Sequence, residues 1–118
     1  MKALITGATS GIGMSMARNL SKRGWELILT GRNREMLEKL QSELNTKTEI
    51  IAADLSDKKE VFRVYEFCKG KNVDMLVNNA GYGVFGQFEK TCLESELNMI
   101  NVNITAVHIL TKLFLRDF

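Results

Sequence analysis

No stretch of this sequence is apolar for long enough to span a bilayer, so no transmembrane helix is expected. A surplus of one charge is also missing: 16 Lys and Arg face 14 Asp and Glu, for a formal net charge of +2. That excludes a nucleic-acid binder that works by broad electrostatic attraction. Metal-ligand spacing is absent. Cys68 and Cys92 form no close pair, and His108 is the only histidine. The cysteines are therefore expected to be reduced thiols of a cytoplasmic protein, not a disulfide or a metal site. Met1 and Lys2 lead straight into an apolar run, which leaves no room for a signal peptide. Proline is missing altogether, and nothing functional follows from that. There is no linker and no low-complexity tract, so residues 1–118 are expected to form one domain with one core.

What is present is an alternation of short apolar runs with amphipathic stretches. Ala3-Leu4-Ile5 reads as a buried strand, and residues 12–23 as a helix with Ile12, Met16 and Leu20 inward. Trp25–Thr30 forms a second strand, whose unbroken Leu27-Ile28-Leu29 fits a parallel strand covered on both faces. Asn33 caps a helix over 34–45 with Leu37, Leu40 and Leu44 inside and Glu35 paired with Lys39 outside. Thr48–Ala53 is a third strand. A helix over 57–69 follows, with Val61, Val64 and Cys68 inward and a capping box from Asp57 to Glu60. Val73–Val77 is a fourth strand, and 90–118 is helical in two pieces meeting near Asn101 to Asn103. Strands that alternate with helices predict a three-layer α/β/α fold of Rossmann type. Its parallel sheet has the order 3-2-1-4, with a ligand crevice at the carboxyl ends of strands 1 and 4.

The first strand breaks into Thr6-Gly-Ala-Thr-Ser-Gly-Ile-Gly13 just where a helix begins. Glycines let a backbone turn with positive φ and let a phosphate approach, and the helix start offers free N–H groups. This segment resembles the cofactor signature of the short-chain dehydrogenase/reductase family. The resemblance implies that Gly7, Ala8, Thr9, Ser10, Gly11, Ile12 and Gly13 cradle the pyrophosphate of a nicotinamide dinucleotide. Gly31-Arg32 ends the second strand with no acidic residue to bind a ribose 2′-hydroxyl. Arg32 can instead take a phosphate in bidentate fashion, which favours NADP over NAD. Asn78-Asn-Ala-Gly81, at the end of the fourth strand, matches the family motif of that composition without substitution. It implies that Asn79, Ala80 and Gly81 line the nicotinamide ribose while Asn78 steadies the sheet. Asp54 and Leu55 are implied to meet the adenine amino group and ring. Asn103, within Asn-Ile-Thr-Ala-Val107, is implied to be the catalytic asparagine that helps hold a water and a lysine in a proton relay.

The family's reaction is hydride transfer between the nicotinamide and a carbonyl or alcohol carbon. It also needs a Ser and a Tyr-x-x-x-Lys beyond that asparagine, and these are absent before Phe118. Tyr65-Glu-Phe-Cys-Lys69 has the spacing but precedes Asn-Asn-Ala-Gly, so it reads as core packing with an exposed lysine. The expectation is a truncated cofactor half that binds without turning over. The alternative is a non-enzymatic dinucleotide-binding or self-associating module. An edge at strand 4 and a broadly apolar last helix predict a homodimer through one of them.

Overall fold

Four strands pair in parallel in one sheet. They are β1 (Lys2–Ile5), β2 (Glu26–Gly31), β3 (Thr48–Ala52) and β4 (Met75–Val77). The computed structural model, which describes residues 1–118, places them in the order β3-β2-β1-β4, as the alternation predicts. Leu4 lies between Ile28 and Leu76 in register. Helices α1 (Gly11–Lys22) and α2 (Arg34–Glu43) cover the face that carries Ala3, Ile5, Leu27 and Leu29. Helices α3 (Lys58–Cys68) and α5 (Val107–Asp117) cover the opposite face, which carries Leu4, Ile28 and Ile51. Side chains alternate along each strand, so continuous apolar runs feed both cores.

Helix α4 (Leu93–Ile100) is different: it buries no residue. It continues through a π-helical segment, Asn101–Ala106, into α5, and right-handed helical dihedrals run through Ile100, Asn101, Ala106 and Val107. The expected two helices are therefore one helix with a π insertion at the expected joint. Such insertions shift side-chain register without breaking the rod. α5 lies on the sheet, whereas α4 lies beyond it.

The buried face of α1 also differs from the apolar spacing. Ile12 is 70% exposed, while Gly13, Ala17 and Ser21 are buried. The helix lies so close to the glycine turn that a Cβ on Gly13 would stand 2.2 Å from the Gly7 carbonyl oxygen. Contact at this range selects small residues and turns the larger Ile12 outward. Two further local details depart from expectation. Arg34 pairs with Glu38 in place of Glu35 with Lys39. Asp57 caps α3 through the N–H of Lys59, but the Glu60 carboxylate is held by Arg63, so the capping box closes on one side only.

Tyr65 is core packing, as its position in the chain suggested. Its ring meets Phe114 edge to face at 5.3 Å, and its hydroxyl donates to Asp117 Oδ2 at 2.7 Å. That carboxylate, with burial, pushes the Tyr65 pKa up, opposite to what a proton-exchanging tyrosine needs. Lys69 pairs with Glu66.

Two predictions follow from this packing. Gly13→Ala should cost about 1–3 kcal/mol in urea unfolding because the added methyl meets backbone. Ile12→Ala should stay within about 0.5 kcal/mol, and a cost above about 2 kcal/mol would restore Ile12 to the core. Tyr65→Phe should lower the urea midpoint and leave nucleotide affinity, read by calorimetry, unchanged; a loss of affinity would tie Tyr65 to the site.

Candidate functional site

The carboxyl ends of the strands open into a cleft of about 260 Å³. Four strand-end segments and one helix wall it. The loop after β1 contributes Gly7, Thr9 and Ser10, and the end of β2 contributes Gly31 and Arg32. Ala53 to Ser56 come from the segment after β3, and Asn79 to Tyr82 from the segment after β4. Asn98 of α4 and Val102 of the π segment complete the wall. Most residues expected from sequence thus meet in one groove. Gly11, Ile12, Gly13 and Asn103 do not line it, and Ala8 is fully buried beneath the turn.

The glycine turn is fixed by a web of hydrogen bonds to β4. Thr6, itself buried, accepts from the N–H groups of Asn79 and Ala80 at 3.0 Å each. Asn79 Nδ2 donates to the Gly7 carbonyl at 2.9 Å and to Ser10 Oγ at 3.1 Å. Gly7 holds a left-handed φ of 61°, and a Cβ there would stand 2.7 Å from Ala80 Cα. Ser10 caps α1: its hydroxyl donates to the Gly7 carbonyl and accepts from the Gly13 N–H at 3.1 Å. The Met14 N–H is taken by the Ser10 carbonyl. The N–H groups of Gly11 and Ile12 are then left free at the positive end of the helix dipole, an arrangement suited to an anion.

Arg32 is exposed at the rim and pairs with no carboxylate. It shares a shallow depression with Thr9, Asn33 and Arg34. Asp54 bends over Ser56: its Oδ1 accepts from the Ser56 N–H at 3.0 Å and from the Ser56 hydroxyl at 2.8 Å. Those bonds, and then the Arg32 charge, hold its carboxyl below the usual carboxylate range. Asp54 Oδ2 is free to accept from a ligand. Asn78 Nδ2 donates to Thr111 Oγ1 at 3.0 Å and so ties β4 to α5.

Asn103 makes a closed two-point contact with one residue. Its Oδ1 accepts from the Tyr82 N–H at 3.0 Å, and its Nδ2 donates to the Tyr82 carbonyl at 2.8 Å. The side-chain amide thus mimics a strand neighbour and pins the loop after β4. The Tyr82 hydroxyl donates to the Ser95 carbonyl at 3.4 Å. Sequence reasoning missed Thr6, Tyr82, Asn98 and Val102 as parts of this site. A buried threonine at a strand end was a signal for Thr6; the other three depend on how a distant helix leans over the cleft.

A family model described as short chain dehydrogenase matches residues 1–118. The human "Inactive hydroxysteroid dehydrogenase-like protein 1" is 36% identical over 120 residues, covering 96% of this chain and 36% of the relative. A short-chain dehydrogenase from Sphingobium yanoikuyae, solved in complex with NADPH, is 31% identical with a TM-score of 0.85. That match covers 94% of this chain and 45% of the other. A short-chain dehydrogenase from Streptomyces avermitilis is 30% identical with a TM-score of 0.89, covering 98% of this chain and 43% of the other. The chain spans about half the length, or less, of the curated relatives it matches. With its whole length matched by one family model and its sheet superposing on that family's solved folds, the chain belongs to the short-chain dehydrogenase family.

Proposed function

We propose that these 118 residues are the dinucleotide-binding half of a short-chain oxidoreductase and that they prefer NADP(H). The observation that carries this reading is the groove itself. An unpaired Arg32, a free Asp54 oxygen and the Asn79–Gly81 segment follow one another around the groove, and the unpaired N–H groups of Gly11 and Ile12 lie at the start of α1, next to the groove residue Ser10. The N–H groups of Gly11 and Ile12 hold the pyrophosphate, on a turn shaped by Gly7, Ala8, Thr9, Ser10 and Gly13. Arg32 takes the ribose 2′-phosphate beside Gly31, a strand end that carries no acid, with Arg34 and Glu35 both bordering the same depression. Asp54 Oδ2 accepts from the adenine amino group, Leu55 packs by the ring, and Asn79, Ala80 and Gly81 border the nicotinamide ribose. The NADPH complex of the Sphingobium protein supports the cofactor choice.

A bound nicotinamide supplies the hydride for carbonyl reduction or accepts one from an alcohol. Asn103 holds the Tyr82 loop that closes the nicotinamide end, and it is the one member of the family's catalytic set in this chain. The serine and the tyrosine–lysine pair are not among these residues, so the chain binds cofactor without steady turnover. Both cysteines are free, with Cys68 buried and its pKa pushed up to about 12 by burial, which suits a reducing compartment such as the cytoplasm. No helix is long and apolar enough to cross a membrane.

A second copy covers the open side of the molecule in this reading. The edge at β3 is partly capped: Gln41 donates to the outward Thr48 carbonyl at 2.6 Å, and Arg63 donates to that of Ala52. No side chain caps β4, and Leu97, Ile100, Ile104 and Leu115 of the long helix are exposed. An uncapped edge and an apolar helix face both favour self-association.

Calorimetric titration should show NADPH binding more tightly than NADH. Arg32→Ala should weaken NADPH roughly tenfold, about 1.4 kcal/mol, with NADH unchanged. Equal binding of both cofactors by the unmodified chain would remove the preference, and sustained carbonyl reduction by the purified chain would overturn the binding-only reading. Light scattering at micromolar concentration should give a dimer, and Ile104→Asp should shift it towards monomer if the helix face is the contact; a monomeric wild-type chain refutes the pairing.

A further inference from the structure

The cleft contains one polar side chain that neither the fold nor the family motifs use. Asn98 lies on α4, half-buried, and lines the groove together with Val102 one turn on. Three neighbours on the same helix are occupied: the Ser95 carbonyl by Tyr82, Glu96 by Thr91, and Asn103 by the Tyr82 backbone. Asn101 also forms no side-chain hydrogen bond, but it does not line the groove. The Asn98 amide takes part in none of the side-chain hydrogen bonds of the structure. α4 buries nothing, so packing does not dictate an amide at this position.

The direction of the wall narrows what such an amide could meet. The long helix runs back along the sheet through α5, and α4 overhangs the carboxyl ends of the strands. The π segment packs against α3, the helix that begins just beyond Asp54 to Ser56. Tyr82 fills the space on the β4 side of α4 by reaching Ser95 and Asn103. Asn98 lines the same groove as Ala53, Asp54 and Leu55.

Building on the dinucleotide reading above, we propose that Asn98 is a binding residue for the purine base. Its amide hydrogen-bonds the base edge from the helix side while Asp54 Oδ2 accepts from the other side. An amide matches an adenine edge because it donates to a ring nitrogen and accepts from the exocyclic amino group together. The amino group carries two hydrogens, so Asp54 and Asn98 each have one to accept. Pairing on both sides also fastens α4, which buries no residue of its own.

The test uses the whole chain and ADP-ribose, with an analogue whose base lacks the 6-amino group, both measured by calorimetry. Removing the amino group should weaken wild-type binding about tenfold. In Asn98→Leu, ADP-ribose itself should bind about three- to tenfold more weakly, and the penalty for the missing amino group should shrink to about threefold. A merely structural role for Asn98 would lower both affinities alike and leave that ratio unchanged, which overturns the proposal. Asn98→Ala, with an unchanged melting profile, serves as the second variant. Wild-type chain that binds no ADP-ribose overturns the dinucleotide reading along with this one. Tight wild-type binding with an unaltered Asn98→Leu ratio overturns only the role of Asn98.

Discussion

The close approach of α1 to the glycine turn governs the rest of the site. A Cβ on Gly13 would lie 2.2 Å from the Gly7 carbonyl oxygen and 2.7 Å from Asn79 Nδ2, so only glycine fits at this contact. With it in place, the Gly7 carbonyl sits where both Ser10 and Asn79 can donate to it. Ser10 is then held as the cap of α1, and two N–H groups remain unpaired at the helix start. The same contact brings β4 against the turn, where Thr6 accepts from Asn79 and Ala80. A side chain on Gly13 would separate the helix, the turn and the end of β4 together. The glycines therefore act first on packing within the protein, and the room they leave for phosphate is a consequence of that packing.

A second constraint sits at the other end of the groove. Asn103 and Tyr82 are joined at both polar atoms of the side-chain amide, and a Cβ on Gly81 would stand 3.0 Å from Asn103 Oδ1. The loop after β4 thus takes its position from an asparagine 21 residues further along the chain. The π segment that contains Asn103 places this amide without breaking the helix. One Nδ2 hydrogen and one Oδ1 lone pair are committed to the Tyr82 backbone, which fixes the amide in place and leaves one donor and one acceptor position.

Sheet order, the glycine turn and the two strand-end motifs were legible because each is local: a few adjacent residues contain both the turn and its chemistry. The inward face of α1 was legible in part: Met16 and Leu20 pack against the core, and the small Gly13 and Ala17 bring the helix close to the sheet, as their spacing and size suggested. Ile12 turns outward and Ser21 is buried, because the approach to the glycine turn leaves no room for a large side chain. Ser10 was legible as a motif member but not as a cap, since the capping depends on where the Gly7 carbonyl points. Asn98 was invisible for a different reason. A polar residue on the polar side of an amphipathic helix looks like any surface residue until the helix is seen to overhang a cleft.

The two ends of the sheet differ in how completely they are satisfied, and the difference runs through the site. On the β3 side, side chains from α2 and α3 reach the outward carbonyls of the edge, and Lys71 pairs with Glu49 at 2.9 Å. On the β4 side the strand is three residues long, and Met75 is 36% exposed. Its main fastenings are the web at Thr6, the Lys2–Asp74 contact and Asn78 to Thr111. The β3 edge is thus partly capped, and the β4 edge is not. A ligand that spanned the groove would add polar contacts to β4 and α4, which bury no residue of their own. Ligand binding should then stabilise this end of the molecule most, because the free energy of local opening is lowest where few apolar contacts are made.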